Sequence, residues 1–196
     1  MVNGNSFGLT LGVPTTLYGW ENTVKWAPTV NDVVDLELDL EHSKYNKFVF
    51  SPTNSFVNGT YGTGVPVDLS GRQLDKTPQE IASLGYAHTW DLPNGAKLQL
   101  HGNTRWSASY VLTDFQTARQ YSQQSFTRSN ADLIYTSSNG KMETELFVTN
   151  IENKVQITGG LTTYSSTTQF PAGYSFPAYG QVTQPRFFGI RESIRF

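Results

Sequence analysis

The chain contains no cysteine, and several common sources of function are excluded with it. Without Cys there is no disulfide, no thiolate nucleophile and no cysteine-ligated metal. An excess of charge of one sign is also missing, because 14 Lys and Arg residues are balanced by 16 Asp and Glu residues, for a formal net charge of -2. No basic cluster stands out along the chain, so the composition gives no indication of nucleic-acid binding.

Long apolar runs are missing as well. No segment approaches the roughly 20 apolar residues that a membrane-spanning helix needs, and apolar residues make up only 37% of the chain. Residues 1–16 have neither a charged start nor a long apolar stretch, so no signal peptide is predicted there. No helical periodicity is present either. With no helical period in the sequence, β-strands are the main predicted element. A strand does not need a long apolar run, because only every second side chain has to be apolar.

Period-two alternation of apolar and polar residues is what the sequence contains instead. In residues 33–41, Leu or Val occupies every second position and a carboxylate occupies the positions between. Burial of unpaired carboxylates is costly, so the acidic face must be wet and the leucine face must be the covered one. Residues 18–26 alternate in the same way, and so do the last ten residues (FFGIRESIRF), which end on Phe196.

Turn residues divide the alternating segments into hairpins. Pro93-Asn94-Gly95 joins two predicted strands, and Asn139-Gly140 supplies the positive-φ residues that a two-residue turn needs. Short links alternate with long ones at residues 44–78, 112–128 and 151–185, as in a transmembrane barrel with short turns on one side and long loops on the other. The predicted strands are residues 18–26, 33–41, 81–91, 97–111, 129–136, 141–149 and 187–196, with residues 6–13 as a candidate eighth.

Aromatic residues fall at both ends of these strands, with a band of Leu, Val and Ala between. With the chain terminus taken as the periplasmic side, the two groups match the two membrane interfaces, which favour amphipathic rings. Rings that fill the core of a soluble sandwich would explain any single one of them, but not the joint pattern as well. The predicted interface aromatics are Trp26, Trp90 and Tyr135 at the periplasmic end, and Tyr18, Trp20, Trp106, Tyr110 and Phe188 at the outer end.

Four segments together resemble the carboxy-terminal part of a TonB-dependent outer-membrane receptor. They are Tyr18-Gly19 with the strand that runs to Trp26-Ala27-Pro28-Thr29, the run from Asp68 to Leu74 followed by Pro78, residues 147–154 (FVTNIENK), and Pro185-Arg186-Phe187-Phe188-Gly189 leading to Arg195-Phe196. The resemblance implies an all-β fold. Residues 1–196 would form one antiparallel transmembrane β-barrel segment of about 7–8 strands, with short periplasmic turns and long extracellular loops.

The resemblance also implies a location and partners. Such receptors lie in the outer membrane of Gram-negative bacteria and combine a barrel of about 22 strands with an amino-terminal plug that contacts TonB. No plug and no signal peptide are predicted in residues 1–196, so the chain is expected to be a fragment that meets TonB only through a plug absent here. Phe196 resembles the assembly signal of the closing strand. The barrel assembly machinery and outer-membrane lipid are therefore expected partners.

Candidate ligand-binding residues follow from the same resemblance. Lumen groups and loop aromatics suit the capture of a siderophore, cobalamin or a saccharide, although loop packing explains the loop aromatics equally well. They are Glu37, Asp39, His101 and Arg105 in the lumen, and Tyr61, Tyr121 and Tyr174 in the loops. The three histidines lack metal-site spacing and no nucleophile–base pair is present. No catalytic residue, metal site or cofactor is predicted, and no enzyme.

The leading hypothesis is a receptor for TonB-energised uptake of a scarce nutrient through the outer membrane, with no nucleic-acid partner. Two alternatives remain open. One is a small complete outer-membrane barrel of about eight strands, porin-like or structural. The other is a soluble β-sandwich carbohydrate-binding module. Glu192 departs from the alternation, because it places a carboxylate on the predicted lipid face near the midplane; a pairing with a neighbouring strand or a bulge would explain it.

Overall fold

A computed structural model describes residues 12–51, 55–57, 60–62, 66–114, 119–163 and 178–196. Within these residues every regular element is a β-strand, and the described part of the chain holds no helix with the length and apolarity to cross a membrane. The candidate strand at residues 6–13 lies outside the described residues except for Gly12 and Val13, which belong to no strand. The strands are β1 (Thr15–Trp26), β2 (Asp32–Tyr45), β3 (Val49–Phe50), β4 (Ser55–Val57), β5 (Thr60–Gly62), β6 (Val67–Asp68), β7 (Glu80–Asp91), β8 (Lys97–Ser107), β9 (Tyr110–Asp114), β10 (Arg119–Gln123), β11 (Phe126–Thr136), β12 (Met142–Thr149), β13 (Ile157–Thr163), β14 (Ala178–Val182) and β15 (Phe187–Ile194).

Seven of these strands form one antiparallel sheet in the order β1-β2-β7-β8-β11-β12-β15. Each strand of this main sheet pairs with the main-sheet strands before and after it along the chain. The order is that of a meander, in which every connection joins neighbours. The predicted all-β antiparallel fold is confirmed, and all seven predicted strands are present.

Tight connections at residues 27–31, 92–96 and 137–141 define the short-turn end of the sheet. In the second turn, Leu92 N donates to Ala96 O at 2.9 Å and Gly95 has φ 80°, which is a three-residue loop with a glycine in the left-handed region. In the third, Ser137 N donates to Met142 O at 2.9 Å and only Gly140 has a positive φ, of 67°. The predicted two-residue turn is therefore wrong, because Asn139 keeps a negative φ and the loop has four residues.

At the opposite, long-loop end, short two-stranded sheets occupy the connections: β3 with β6, β4 with β5, β9 with β10, and β13 with β14. The connections are therefore not structureless. The predicted strand 97–111 is divided into two. Its first part, β8, ends at Ser107, and Ala108 N still donates to Glu80 O at 2.9 Å; the chain then leaves the main sheet and forms β9, which pairs with β10.

The main sheet is strongly staggered. Cross-strand partners run in one row from Trp26 at the short-turn end of β1 to Phe188 at the long-loop end of β15, through Val34, Tyr86, Gly102, Ala131 and Val148. From β1 to β15 the row moves about six residues along the strand direction over six steps between neighbouring strands. At the usual spacings these are about 20 Å along the strands and about 29 Å across them. This corresponds to a strand tilt of about 35°, the value that a sheet adopts when it curves into a barrel wall.

Apolar side chains on one face of the main sheet are uncovered. Leu36 is 45% exposed, Leu146 51% and Ile190 67%. The opposite face carries the charged residues of the same strands, including Asp35 and Glu37 of β2. These apolar and polar faces are kept apart along all seven strands with few exceptions, which is the segregation that the alternation predicts.

Burial is concentrated at the long-loop end, where connections fold over the sheet. Leu69, in the turn between β6 and β7, is fully buried, and Tyr45 and Leu112 are 8% and 3% exposed. Gly71 has φ 76° in the same turn, and its N donates to Tyr45 O at 2.7 Å. Asn150, directly after β12, is fully buried with φ 55°. These residues hold the connections in place above the polar face.

Candidate functional site on the polar face

Charge is divided across the polar face. The β1–β2 side is acidic, and its single cation in contact with a carboxylate is Lys25, whose Nζ lies 3.6 Å from Asp35 Oδ1 among the described residues. The β8–β11 side carries Arg105 and Arg128 near the long-loop end. The acidic residues on the first side are Glu21, Asp35, Glu37, Asp39 and Glu41.

Two polar pairs occupy the middle of the face. His101 Nδ1 lies 3.0 Å from Asp132 Oδ1, and the two residues are register partners in β8 and β11. Nearer the β15 edge, Arg191 donates to Glu145 at 2.5 Å and its guanidinium lies 5.4 Å from the ring centroid of Phe147. Each carboxylate in these pairs already has a side-chain partner, so neither pair is an obvious ligand contact.

A cleft of about 490 Å³ opens on the polar face at the long-loop end. Its floor is made by β7, β8 and β11, and its wall by the segments before β7 and β13 together with β9. The lining residues are Lys76, Pro78, Ile81, Asn103, Arg105, Ser107, Tyr110, Phe126, Arg128, Asn130, Gln156 and Thr158. This volume is that of a small-molecule site, with aromatic surface and several polar groups together.

The wall of this cleft is fixed by hydrogen bonds between connections. The carboxylate of Asp75 accepts from Thr113 N at 2.7 Å and from Thr113 Oγ1 at 2.5 Å. Tyr110 donates its hydroxyl to Ile157 O at 3.2 Å, and burial raises the pKa of that hydroxyl. Lys76 has φ 59° and donates its N to Val111 O at 3.0 Å. These hydrogen bonds join the connections to one another, so the wall of the cleft has a defined structure.

The predicted lumen residues are all on the polar face, but they are not brought together. Glu37 shares a cross-strand row with Ser83, Arg105 and Arg128, and so lies two strands, roughly 10 Å, from Arg105. Asp39 lies in another row, opposite Ile81. Of the predicted ligand-binding residues whose side chains the structure describes, Arg105 alone lines the cleft.

The predicted loop residues remain predictions. Tyr121 is half-buried in β10, opposite Leu112. Tyr61 lies in β5, where only the backbone is described, and Tyr174 lies outside the described residues. Lys76, Arg128 and Gln156 line the cleft without having been predicted.

Most of the predicted interface aromatics lie on the apolar face. Tyr18, Trp20, Trp26, Trp90, Trp106 and Phe188 are each at least 37% exposed, and Tyr135 is partly exposed. Tyr110 differs from the others in its surroundings: it is half-buried in the cleft wall, because the chain has left the main sheet before it. Phe196 is fully exposed beyond the end of β15. Contact of these residues with lipid, or of Phe196 with assembly machinery, stays a prediction.

Polar residues also interrupt the apolar face. Near the short-turn end, Asp32 lies 2.6 Å from His88 Nδ1 and accepts from the Tyr86 hydroxyl at 2.7 Å. The His88 ring in turn contacts Trp90, with ring centroids 4.3 Å apart. Glu192 lies opposite Thr144 in a register without interruption, so the bulge is not present, and it is two residues from the end of β15 and not near its middle.

Three solved structures are similar to this chain in fold. The ferric yersiniabactin uptake receptor FyuA from Yersinia pestis covers 93% of this chain at a TM-score of 0.66 and 17% identity. The siderophore receptor PiuA from Acinetobacter baumannii covers 91% at 0.60 and 17%. The ferripyoverdine receptor of the outer membrane of Pseudomonas aeruginosa covers 92% at 0.58 and 13%. No protein-family model and no curated protein sequence matches the chain.

This chain spans only 24%, 21% and 19% of the length of those three receptors. By name, the first is an uptake receptor, the second a siderophore receptor and the third a receptor of the outer membrane. At these identities the likeness concerns the fold, and it shows that the chain folds as a segment of such a receptor's β-structure. The described residues contain no group of three or more His, Asp or Glu residues placed to hold a metal ion.

Proposed function

We propose that this chain is the carboxy-terminal part, residues 1–196, of the β-barrel of a TonB-dependent receptor in the outer membrane of a Gram-negative bacterium. In this proposal the apolar face lies against lipid and the polar face lines the lumen. The whole protein takes up a scarce small nutrient, and the structural neighbours favour a siderophore over cobalamin or a saccharide. The neighbours are transport receptors, which agrees with a role in binding and passage and not in catalysis.

The observation that carries this proposal is the uncovered apolar face of a tilted seven-stranded sheet. A soluble β-sandwich would cover that face with a second sheet, and its residues would then be buried. Here Leu36, Leu146 and Ile190 are between 45% and 67% exposed. A monomeric soluble protein rarely leaves so large a continuous apolar surface in water. Lipid is the environment in which this face is stable.

Strand direction argues against closure of the main sheet on itself. The sheet has seven strands that alternate in direction, so its two edge strands, β1 and β15, run the same way. Antiparallel barrels close between strands of opposite direction, and bacterial single-chain barrels have an even strand number. At least one further strand is needed for closure. The share of 19–24% that the chain spans of the three receptors supports part of a larger wall over a small complete barrel.

Site-directed spin labels test the placement of the two faces. The chain has no cysteine, so Leu36→Cys and Glu37→Cys each give one label site in the full chain reconstituted in lipid vesicles. We expect oxygen to relax the Leu36 label preferentially and a water-soluble nickel chelate to relax the Glu37 label. Leu84→Cys and Ser83→Cys on β7 form the matched pair. Equal accessibility at Leu36 and Glu37, or a Leu36 label shielded from both reagents, would rule out the proposal.

Uptake measurements test the receptor role separately. Deletion of the gene that encodes this chain should abolish uptake of one labelled nutrient among ferric siderophores, cobalamin and saccharides, and addition of a protonophore to wild-type cells should have the same effect. Uptake unchanged for every class would leave a wall protein without a receptor function and would reject this part of the proposal.

A further inference from the structure

Two arginines lie directly opposite each other in the cleft. Arg105 of β8 and Arg128 of β11 are register partners, and both line the cleft on the polar face. Like charges directly opposite on one face of a sheet repel, and this destabilises the strand pair. Lys76 brings a third cation to the same cleft. An arrangement of this kind needs a nearby negative charge to be favourable.

Among the residues that the structure describes, no carboxylate lines the cleft to supply that charge. Among the described residues, none of the three cations is within ion-pair distance of an acidic group. Two carboxylates in the neighbouring connections already have partners: Asp75 accepts two hydrogen bonds from Thr113, and Glu152 accepts two from Ser129. Glu152 is near enough for the charge of Arg128 to contribute to the lowered pKa of its carboxyl, but the two side chains form no ion pair, and Glu152 does not line the cleft.

A buried donor in the cleft wall has no acceptor. Gln156 is only 4% exposed, and its Nε2 is buried without a hydrogen-bond partner. Its backbone is held by Thr183, which accepts from Gln156 N at 3.1 Å and donates its own N to Gln156 O at 2.9 Å. A buried donor without an acceptor is unfavourable and rare in folded proteins. This donor is independent of the arginine pair, and like the guanidinium groups it would be satisfied by an oxygen acceptor.

We propose that the cleft binds a small oxyanionic ligand, with carboxylate or phosphate groups, through Arg105 and Arg128, with Lys76 and the Gln156 side chain as further donors. Paired guanidinium groups match such anions because their hydrogen bonds are charge-assisted and directional. Tyr110 and Phe126 give the same cleft aromatic surface for an organic part of the ligand. This deepens the proposed function, since it rests on the polar face being open to solvent in the lumen.

Titration of the full chain in detergent micelles with citrate, with pyrophosphate and with triethyl citrate tests the site. Citrate and pyrophosphate separate a carboxylate ligand from a phosphate ligand, and triethyl citrate has the citrate skeleton without its charge. We expect calorimetry to show binding of at least one anion and none of the ester. Arg105→Gln and Arg128→Gln should each weaken that binding at least about tenfold, the effect of losing a charge-assisted hydrogen bond.

Arg191→Gln is the matched control, because Arg191 is a polar-face arginine that is already paired with Glu145 outside the cleft. It should change anion affinity less than about twofold. Equal binding of triethyl citrate, equal losses for Arg191→Gln and Arg105→Gln, or no binding of either anion would overturn the proposal.

Stability without ligand gives a second readout, which a purely structural role would move in the opposite direction. If Arg105 and Arg128 repel each other, Arg105→Gln should raise the urea midpoint of the unliganded chain and lower the extra stability that the anion confers. A lower midpoint for unliganded Arg105→Gln would contradict the repulsion. If anion binding fails while the Leu36 and Glu37 labels remain asymmetric, only the anion site is lost. If the labels fail while arginine-dependent binding persists, only the receptor proposal is lost.

Discussion

The ring of Phe147 fills the space beside Gly189 on the polar face: a β-carbon at Gly189 would lie 2.9 Å from Phe147 Cζ and 3.2 Å from Cε1. The two residues are register partners in β12 and β15. Arg191, two residues along β15, places its guanidinium 5.4 Å from the same ring. The edge strand β15 is therefore held by side-chain packing as well as by its backbone ladder.

Gly189→Ala should cost little, about 1 kcal/mol or less, because the atom that must move is the far end of a rotatable side chain. The displaced ring would lose its contact with Arg191. We expect a small fall in the urea midpoint of the full chain in vesicles. A loss above about 3 kcal/mol would mean that Phe147 cannot rotate.

Gly19→Ala should be much more damaging than Gly189→Ala. A β-carbon at Gly19 would overlap the carbonyl oxygen of Leu40 and lie 3.2 Å from Glu41 Cα, both of them backbone atoms of the paired strand. The backbone can yield only if β1 separates from β2, so we expect a loss of about 3 kcal/mol or more in urea unfolding.

Gly102→Ala is the control for Gly19→Ala, since it lies in the same sheet but the closest atom to its β-carbon is Asn130 O at 3.8 Å. That substitution should be neutral, or stabilising by up to about 1 kcal/mol through the lost flexibility of glycine. Equal effects at the two glycines would show that crowding by Leu40 is not the cause.

The strands of the main sheet and their two faces were predictable because each strand has one hydrated and one apolar face. Apolar and polar residues therefore alternate along its sequence. In β2 the carboxylates between the leucines leave only one register for the strand face. The errors fall where alternation does not decide the structure. Asn139 can adopt a positive or a negative φ, so turn length depended on the hydrogen bond between Ser137 and Met142. Tyr110 kept the alternation of β8, although the chain had already left the sheet.

The cleft could not be predicted from local pattern. Lys76 and Gln156 lie in connections whose placement depends on distant partners, Thr113 for Asp75 and Thr183 for Gln156. Arg128 fell one residue before the predicted start of its strand. Its position opposite Arg105 is a matter of register between β8 and β11, which the sequence does not state. Arg105 was predicted because, unlike Lys76, Arg128 and Gln156, it lies within a predicted strand that has a clear polar face.

Asn150→Ala should loosen the connection after β12. The side-chain Nδ2 donates to Lys154 O at 2.9 Å and Gln184 O at 3.0 Å, and Oδ1 accepts from Lys154 N at 3.0 Å. Alanine would leave these buried groups unpaired and would have to adopt a φ of 55°. We expect a loss of about 2–4 kcal/mol and faster hydrogen exchange at Lys154.

Asn153→Ala separates backbone strain from hydrogen bonding in the same turn. Asn153 has a similar φ of 54°, but it is exposed and accepts a single bond, from Arg186 N at 2.9 Å. A loss of about 1–2 kcal/mol is expected. If Asn153→Ala costs as much as Asn150→Ala, the strained backbone and not the buried amide is responsible.

Glu152 should make this connection sensitive to acid. Its slight burial raises the pKa of the carboxyl, but hydrogen bonds from the Ser129 hydroxyl and backbone N outweigh that effect, and the pKa is lowered from its ordinary value of 4.5. The unfolded chain therefore binds the proton more readily than the folded chain does. The stabilisation is fully present above about pH 4.5 and is lost as the pH falls through the lowered value.

The test is the difference in urea midpoint between the wild-type chain and Glu152→Gln. It should favour the wild type at pH 7 and shrink at pH values below 4.5. Asp132→Asn, which changes a carboxylate on the polar face outside this connection, controls for general charge effects. A difference that is the same at both pH values would show that ionised Glu152 does not hold Ser129.

Glu192→Leu should stabilise the chain in vesicles if the apolar face meets lipid. Glu192 lies on that face opposite Thr144, and among the described residues it has no hydrogen bond or ion pair. Because it is two residues from the end of β15, its cost is that of a carboxylate near the interface, and the expected gain is about 1 kcal/mol or less.

Glu143→Leu makes the same change on the polar face, opposite Ser193. It should give no gain in the same vesicles, because a lumen position is hydrated. Both variants add the same apolar side chain, one in the edge strand β15 and one in its neighbour β12. A gain for Glu143→Leu alone, or an equal gain for both, would mean that lipid and water are assigned to the wrong faces.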